Sequence, residues 1–276
     1  MKLNELKKEQ KQSKLSPLYK LERKANYKSL IVFSVIISFL LFLTMALFNF
    51  VEPLMAELVK MFEGQPEMQE LFATQELKIG TYFVSEAGSF WALLAAIYGS
   101  FLGYKLINGN LKNGSSEVLY TQNASRTQIV KHKLIRLIIN VAILNVVCGL
   151  VGLVAMLIWG YGQFSVLNYL GYMLFVLILT MQVAVLSFSI ALLVKQKYSS
   201  VLSVLVALGL FLIANLGIMG ESFEVFNYLT PFAVALADLI ESGFGVVNYI
   251  SIAIWTVIPV VTLIFGIKSY KNTDLV

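Results

Sequence analysis

The sequence predicts an all-α integral membrane protein. The expected architecture is six transmembrane helices, both termini in the cytoplasm, an N-terminal interfacial elbow helix, and outer re-entrant helices between spans five and six. Three observations carry this. Of 276 residues, 58% are hydrophobic and only 13% charged, about half the 25% charge of a soluble domain. Six apolar runs approach the roughly 20 residues that a helix needs to cross a bilayer. The charges between those runs sort by sign to alternate sides.

The six runs are 29–49, 90–107, 137–159, 166–194, 201–219 and 246–267. None holds an Asp, Glu or His, and the one internal cation, Lys105, lies near an end where it can snorkel. The fourth run is the longest, so tilt or projection beyond the bilayer is expected. With alternating spans, one side collects 19 of the 21 Lys and Arg, and the other keeps only Lys60 and Lys78. Eleven of the 16 acids lie on that second side. Five or seven spans would spoil the sorting, so the positive-inside rule places both termini in the cytoplasm. The net charge of +5 therefore belongs to the membrane surface and not to nucleic acid. Lysine usage and the lack of an early apolar stretch in the first 28 residues suit a multi-pass protein of a bacterial plasma membrane without a cleaved signal.

Two parts follow. Residues 1–28 form a cytoplasmic tail and amphipathic elbow helix. Residues 29–276 form the six-helix domain. Residues 1–14 read as a solvated tail. From Leu15, apolar Leu18, Tyr19 and Leu21 interleave with Lys20, Glu22, Arg23 and Lys24, the pattern of a basic helix in the headgroup plane. The outer loops are 50–89 and 220–245. The first carries Leu54, Met55, Leu58, Val59 and Phe62 at helical spacing, which predicts a short external amphipathic helix. The second is too apolar for a free loop and reads as short helices dipping back into the outer leaflet, with Pro231 at a break or first turn. Ala95, Gly99 and Gly103 form a small-residue stripe that lets another helix approach, either within the chain or in a dimer. Pro259 is expected to kink the sixth span.

The missing chemistry narrows the function. No G-x-x-x-x-G-K-[ST] phosphate loop, H-E-x-x-H pair or G-x-S-x-G elbow occurs. His132 is the only histidine, between Lys131 and Lys133, and reads as a surface residue. Cys148 is the only cysteine and reads as a small core residue. Together they cannot supply the three or four ligands of a zinc site. Catalytic residues, cofactor and metal ligands are therefore expected to be absent from this chain. Ion-driven carriers usually place carboxylates or His in their spans, and this one has none there. The intramembrane polar groups are neutral: Asn140, Asn145, Gln182 and Asn215, which suit interhelical hydrogen bonding or a substrate path. Energy for uphill movement would have to enter from a partner.

The loop between spans two and three is where such a partner would push. Ser115 or Ser116 can cap a short helix of about 113–123 with Glu117 in its first turn. Val118, Leu119 and Tyr120 give that helix an apolar knob. Ser125 can cap the next helix, with Gln128 completing a capping box. A short capped helix thus protrudes into the cytoplasm and joins two spans as a lever.

Gly114, Ser115 and Glu117, followed by Ser125, Arg126 and then Lys133, resemble the corresponding loop of ABC-2 type permeases, the membrane subunits of one class of ATP-binding-cassette exporters. That family has a Gly-Thr/Ser-x-Glu element, then Pro-x-Ser-Arg, then Lys at the start of the third span. Here Asn123 stands where Pro is common. Tyr228-Leu229-Thr230-Pro231-Phe232 is similar to the family's Leu-x-Pro-Phe turn in the last outer loop, and the tail from Lys268 to Asp274 resembles its closing Lys/Arg-Asp end. The resemblance implies ATP hydrolysis, with ATP and Mg, on a separate cytoplasmic ABC ATPase. It also implies a second permease subunit, identical or not, and an ATPase groove that receives Gly114, Ser115, Glu117, Val118, Leu119, Tyr120, Ser125 and Arg126. The aromatic second span (Phe90, Trp91, Tyr98, Phe101, Tyr104) suits a hydrophobic or amphipathic cargo such as a peptide, antibiotic or lipid-like molecule, and equally suits packing. The alternative is a non-transporting sensor or immunity protein that binds a ligand through its outer loops.

Overall fold

The apolar runs become helices, and Pro17, Pro53 and Pro259 lie inside them. The computed structural model describes residues 2–61, 78–112, 126–194, 200–218, 221–233 and 239–271, and no strand occurs among them. Helix α1 is Lys2–Met61. Helix α2 is continuous through Ile79–Tyr82, a π-helical turn Phe83–Gly88, and Ser89–Lys112. Helices α3 (Arg126–Trp159), α4 (Val166–Leu193), α5 (Ser200–Ile218) and α6 (Val246–Lys271) follow, with a 3-10 helix at Glu221–Tyr228 between the last two. Five of these helices are long and apolar enough to cross a membrane, and α5 contributes a shorter apolar stretch, Val201–Gly217. The chain is thus an all-helical, multi-pass membrane protein.

Two expectations change. The tail 1–14 and the external helix after the first span are not separate pieces. Both belong to α1, which runs unbroken across the expected boundary at residue 28 and on to Met61. Leu, Lys, Glu and Gln dominate residues 2–24 and are strong helix formers, so a polar tail is helical without needing a core. The second change is at the start of α2. Residues 79–89 were expected in the outer loop, yet they form the first turns of the span, with Ile79, Tyr82, Phe83, Val84 and Ala87 buried. Ser85 and Glu86 disguise this in the sequence. They are exposed, on the opposite face from the buried residues.

Helix α2 is the centre of the molecule. It packs on α1, α3, α4 and α5, while α1 lies along α3 and α6 lies along α4. With lipid as solvent, burial of apolar surface gives little drive between helices, and close backbone approach takes its place. The small-residue stripe of α2 supplies that approach within the chain. A Cβ at Gly99 would sit 2.9 Å from the Ala184 Cβ, and one at Gly103 would sit 2.8 Å from the Ala184 carbonyl oxygen and 3.1 Å from the Phe188 nitrogen. The aromatic residues of α2 divide. Trp91, Tyr98 and Tyr104 are buried in the packing, whereas Phe90 is 52% exposed. Cys148 is buried, as expected of a core residue. The outward faces of α1 (Val35, Phe39, Phe50) and α6 (Val257, Ile264, Phe265) are apolar and exposed, as surfaces that meet lipid must be.

The segment after α5 docks back on the bundle, as its apolar composition required. Thr230 Oγ1 donates to the Leu210 carbonyl at 2.6 Å and accepts from the Phe232 backbone N–H at 3.2 Å. Phe232 is fully buried, edge-on to Phe211 with ring centroids 5.5 Å apart. Trp255 Nε1 on α6 donates to the Tyr228 carbonyl. Pro231 sits at the turn between these anchors.

Gly103→Ala tests the packing of α2 on α4. The added methyl meets backbone and not a flexible side chain, so the helices must separate. We expect a destabilisation of about 1–3 kcal/mol, read as a lower midpoint of unfolding in detergent. Gly209→Ala on α5, where a Cβ meets nothing within 4 Å, is the control and is expected to be neutral or slightly stabilising through helix propensity.

Candidate coupling site and its polar clamp

Residues Gly114, Ser115, Glu117, Val118, Leu119, Tyr120 and Ser125 lie outside the described residues. Arg126 is described. It is half-buried and is the first residue of α3, one position after the expected Ser125 cap. The stems of the loop are defined. Helix α2 enters it at Lys112 and α3 leaves it at Arg126.

A buried polar clamp joins those stems. Lys133 and Arg136 on α3 are only 4% and 7% exposed. The Lys133 ammonium donates to the Leu106 carbonyl near the end of α2. That places a cation close to the negative end of the α2 dipole and makes a charge-assisted bond between the last turns of one helix and the first turns of the next. Arg136, one turn further along α3, lies within electrostatic reach of Tyr98 on α2. Tyr98 in turn packs on Phe33 of α1, with centroids 5.1 Å apart. The Lys133 bond thus joins α2 and α3 near the loop, and the Phe33–Tyr98 contact joins α1 to α2 deeper in the span. Lys131 and His132 point away and are exposed, the latter as expected.

The sequence identified Lys133 as a motif residue but not its burial. Helical arithmetic held the signal: Lys133, Arg136, Leu137 and Asn140 recur at three- and four-residue intervals and so share one face. The same face carries Leu144 inward, which makes the whole stripe buried. Lys105, expected to snorkel, holds its Nζ 5.7 Å from the Phe101 ring centroid, a cation–π distance.

The four neutral intramembrane residues are not gathered into one site. Asn145 Nδ2 donates to Thr180 Oγ1 of α4 at 2.8 Å and to its own Val141 carbonyl at 2.9 Å. Gln182 Nε2 donates to Thr256 Oγ1 and the Ile252 carbonyl of α6, at 2.9 and 3.1 Å. These two residues tie neighbouring helices. Asn215 Nδ2 bonds only back to the Phe211 carbonyl of its own helix, at 2.9 Å. Asn140 is 1% exposed, and neither amide atom finds a hydrogen-bond partner among the described residues.

Among the described residues, no nucleophile–base pair is gathered at this site. The site is a cationic, hydrogen-bonded joint between two membrane helices at the root of a polar loop. Residues 22–275 match the family model described as ABC-2 family transporter protein. No curated protein matches the chain.

Lys133→Met keeps most of the apolar stem and removes the donor. We expect it to cost about 1.5–3 kcal/mol, the range for hydrogen bonds to charged groups, measured by thermal unfolding in detergent. Lys131→Met, on the exposed side of the same turn, should stay within about 0.5 kcal/mol of the parent.

Proposed function

The chain belongs to the ABC-2 family of membrane transporter proteins, and on that premise we propose that it is the permease subunit of an ATP-driven exporter of hydrophobic or amphipathic cargo. In this reading α5 is the sixth span. Its 19 residues extend about 28 Å, close to the roughly 30 Å hydrocarbon core. Both termini face the cytoplasm, as the positive-inside rule requires, and residues 15–28 of α1 rest at the headgroups. The protein sits in the plasma membrane of a bacterium. ATP and Mg act on a separate ABC ATPase, and a second permease, identical or not, completes the pathway.

The observation that carries the reading is the clamp. A loop that only sensed a ligand would not need its two stems locked by a buried ammonium. A loop that receives force does, because an unlocked joint would absorb the motion that an ATPase makes on closing. With Lys133 holding the Leu106 carbonyl, a push on 113–123 moves α2 and α3 together. Because α2 also bears α4 and α5, the push reaches most of the bundle as rigid-body motion. Glu117 and Arg126 would orient the loop, while Val118, Leu119 and Tyr120 would fill the ATPase groove.

Affinity purification from the native membrane, followed by mass spectrometry, tests the partnership. The expected result is a soluble protein with a phosphate loop, recovered in near-equal amount. Replacing Val118, Leu119 and Tyr120 together with Ala should abolish that recovery while the chain still inserts. Purification of the chain alone, with and without an ATP analogue, would sink the exporter reading and favour a sensor that works through its outer loops.

A further inference from the structure

A cavity of about 200 Å³ lies between α2, α4 and α5, apart from the clamp. Its walls are Tyr104 of α2, Ser187, Ile190 and Val194 of α4, and Leu202, Ser203 and Val206 of α5. The spacing explains the shape. Residues 187, 190 and 194 recur at helical intervals on one face of α4, and 203 and 206 do so on α5. These faces look at each other across a gap, because α4 and α5 touch only sparsely and both lean instead on α2. The accessible wall is apolar throughout.

We propose that this cavity is a hydrocarbon-chain site, filled by a short terminal stretch of one acyl chain of a bilayer phospholipid. Size excludes larger occupants. A drug-sized molecule needs a pocket of roughly 300–1,000 Å³, whereas a dry cavity of about 150 Å³ already accommodates benzene. Water is disfavoured because the Tyr104 and Ser187 hydroxyls, though without a hydrogen-bond partner among the described residues, are buried and show no surface to the cavity, and a wall that presents only apolar atoms stays dry. Vacancy is disfavoured because wall atoms facing a void lose their dispersion contacts. The rim supplies the route in. Leu202 of the wall is 41% exposed, and Leu193, next to the lining residue Val194, is 39% exposed, so the cavity adjoins the apolar outer surface of the bundle. A chain lying along that surface enters sideways, its headgroup remaining outside. The bound chain acts as a packing element that couples α5 to α4, two helices that the protein itself joins only loosely. The site depends on the membrane setting of the chain and not on ATP or cargo.

The test uses the full chain in phosphatidylcholine nanodiscs that contain a phosphatidylcholine with a diazirine near the end of one acyl chain. After photolysis, adducts are mapped by peptide mass spectrometry. Adducts should concentrate on residues 187–194 and 202–206, above the level on the lipid-facing α1 residues Val35 and Phe39. Val206→Phe and Ser203→Leu, which fill the cavity, should each lose the concentrated adducts and keep those on α1. Labelling of the cavity helices no stronger than that of α1 would overturn the proposal, and the wild-type map alone decides this if a variant fails to insert. Loss of enrichment in neither well-inserted variant would also overturn it. In a second arm the diazirine is carried by a free single-chain amphiphile. Cavity adducts from that probe, with none from the phospholipid, would overturn the phospholipid as the source of the chain.

Discussion

The close approach of α2 to α4 at Gly99 and Gly103 is the constraint on which the rest of the bundle depends. Lipid tails are as apolar as leucine, so a helix gains little by trading lipid for another leucine-rich helix. Backbone contact across a glycine stripe changes that balance, because it adds dispersion over a length of helix that lipid cannot match. Once α2 and α4 are locked, the other placements follow. Helix α6 covers the free side of α4, where Gln182 bonds to Thr256. Helix α3 closes against α4 through Asn145 and Thr180, and α1 lies along α3. Helix α5 completes the set, resting on α2 and on the segment that carries Thr230 and Phe232.

Polar groups take over where the helices leave the apolar region. The Lys133 ammonium is nearly buried and would be costly without a partner. Its bond to the Leu106 carbonyl supplies one, and the negative end of α2 adds to it. This turns a liability into a joint. On the opposite side, the backbone N–H of Gly80 at the start of α2 donates to Glu241 Oε1 at 3.2 Å, and Asn168 Nδ2 donates to the Ile240 carbonyl at 3.0 Å. Both ends of the central region are therefore tied by hydrogen bonds, while its middle combines close packing with the Asn145–Thr180 and Gln182–Thr256 bonds.

Much of this was legible in the sequence. The apolar runs placed α4, α5 and α6 within a few residues of their observed ends, whereas α3 begins at Arg126, eleven residues before its apolar run, because its first turns are basic. The start of α2 was not legible, because Ser85 and Glu86 interrupt the hydropathy while lying on an exposed face. The continuity of α1 was missed because polarity and helicity are independent: residues 2–24 are polar yet rich in strong helix formers. For the site, the sequence marked Lys133 and the neutral amides by type and position. It did not say which amides pair across helices, since Asn145, Gln182 and Asn215 look alike in a string of letters. Whether each finds a partner depends on which face of a neighbouring helix it meets. The cavity left no sequence signal, because Ser187, Ser203 and Val206 are ordinary residues until three helices are assembled.

The central claim is that α2 and α3 move as one body, locked at the root of their connecting loop. The most direct measurement is a pulsed electron–electron spin distance between labels at Phe101→Cys on α2 and His132→Cys on α3. It is made on the chain with and without the co-purifying ATPase trapped by an ATP analogue, using a background in which Cys148 is replaced by Ala. The account predicts one narrow distance, unchanged between the two states. A shift of several ångströms or a broad second distance on trapping would show that the joint flexes, and would contradict the account.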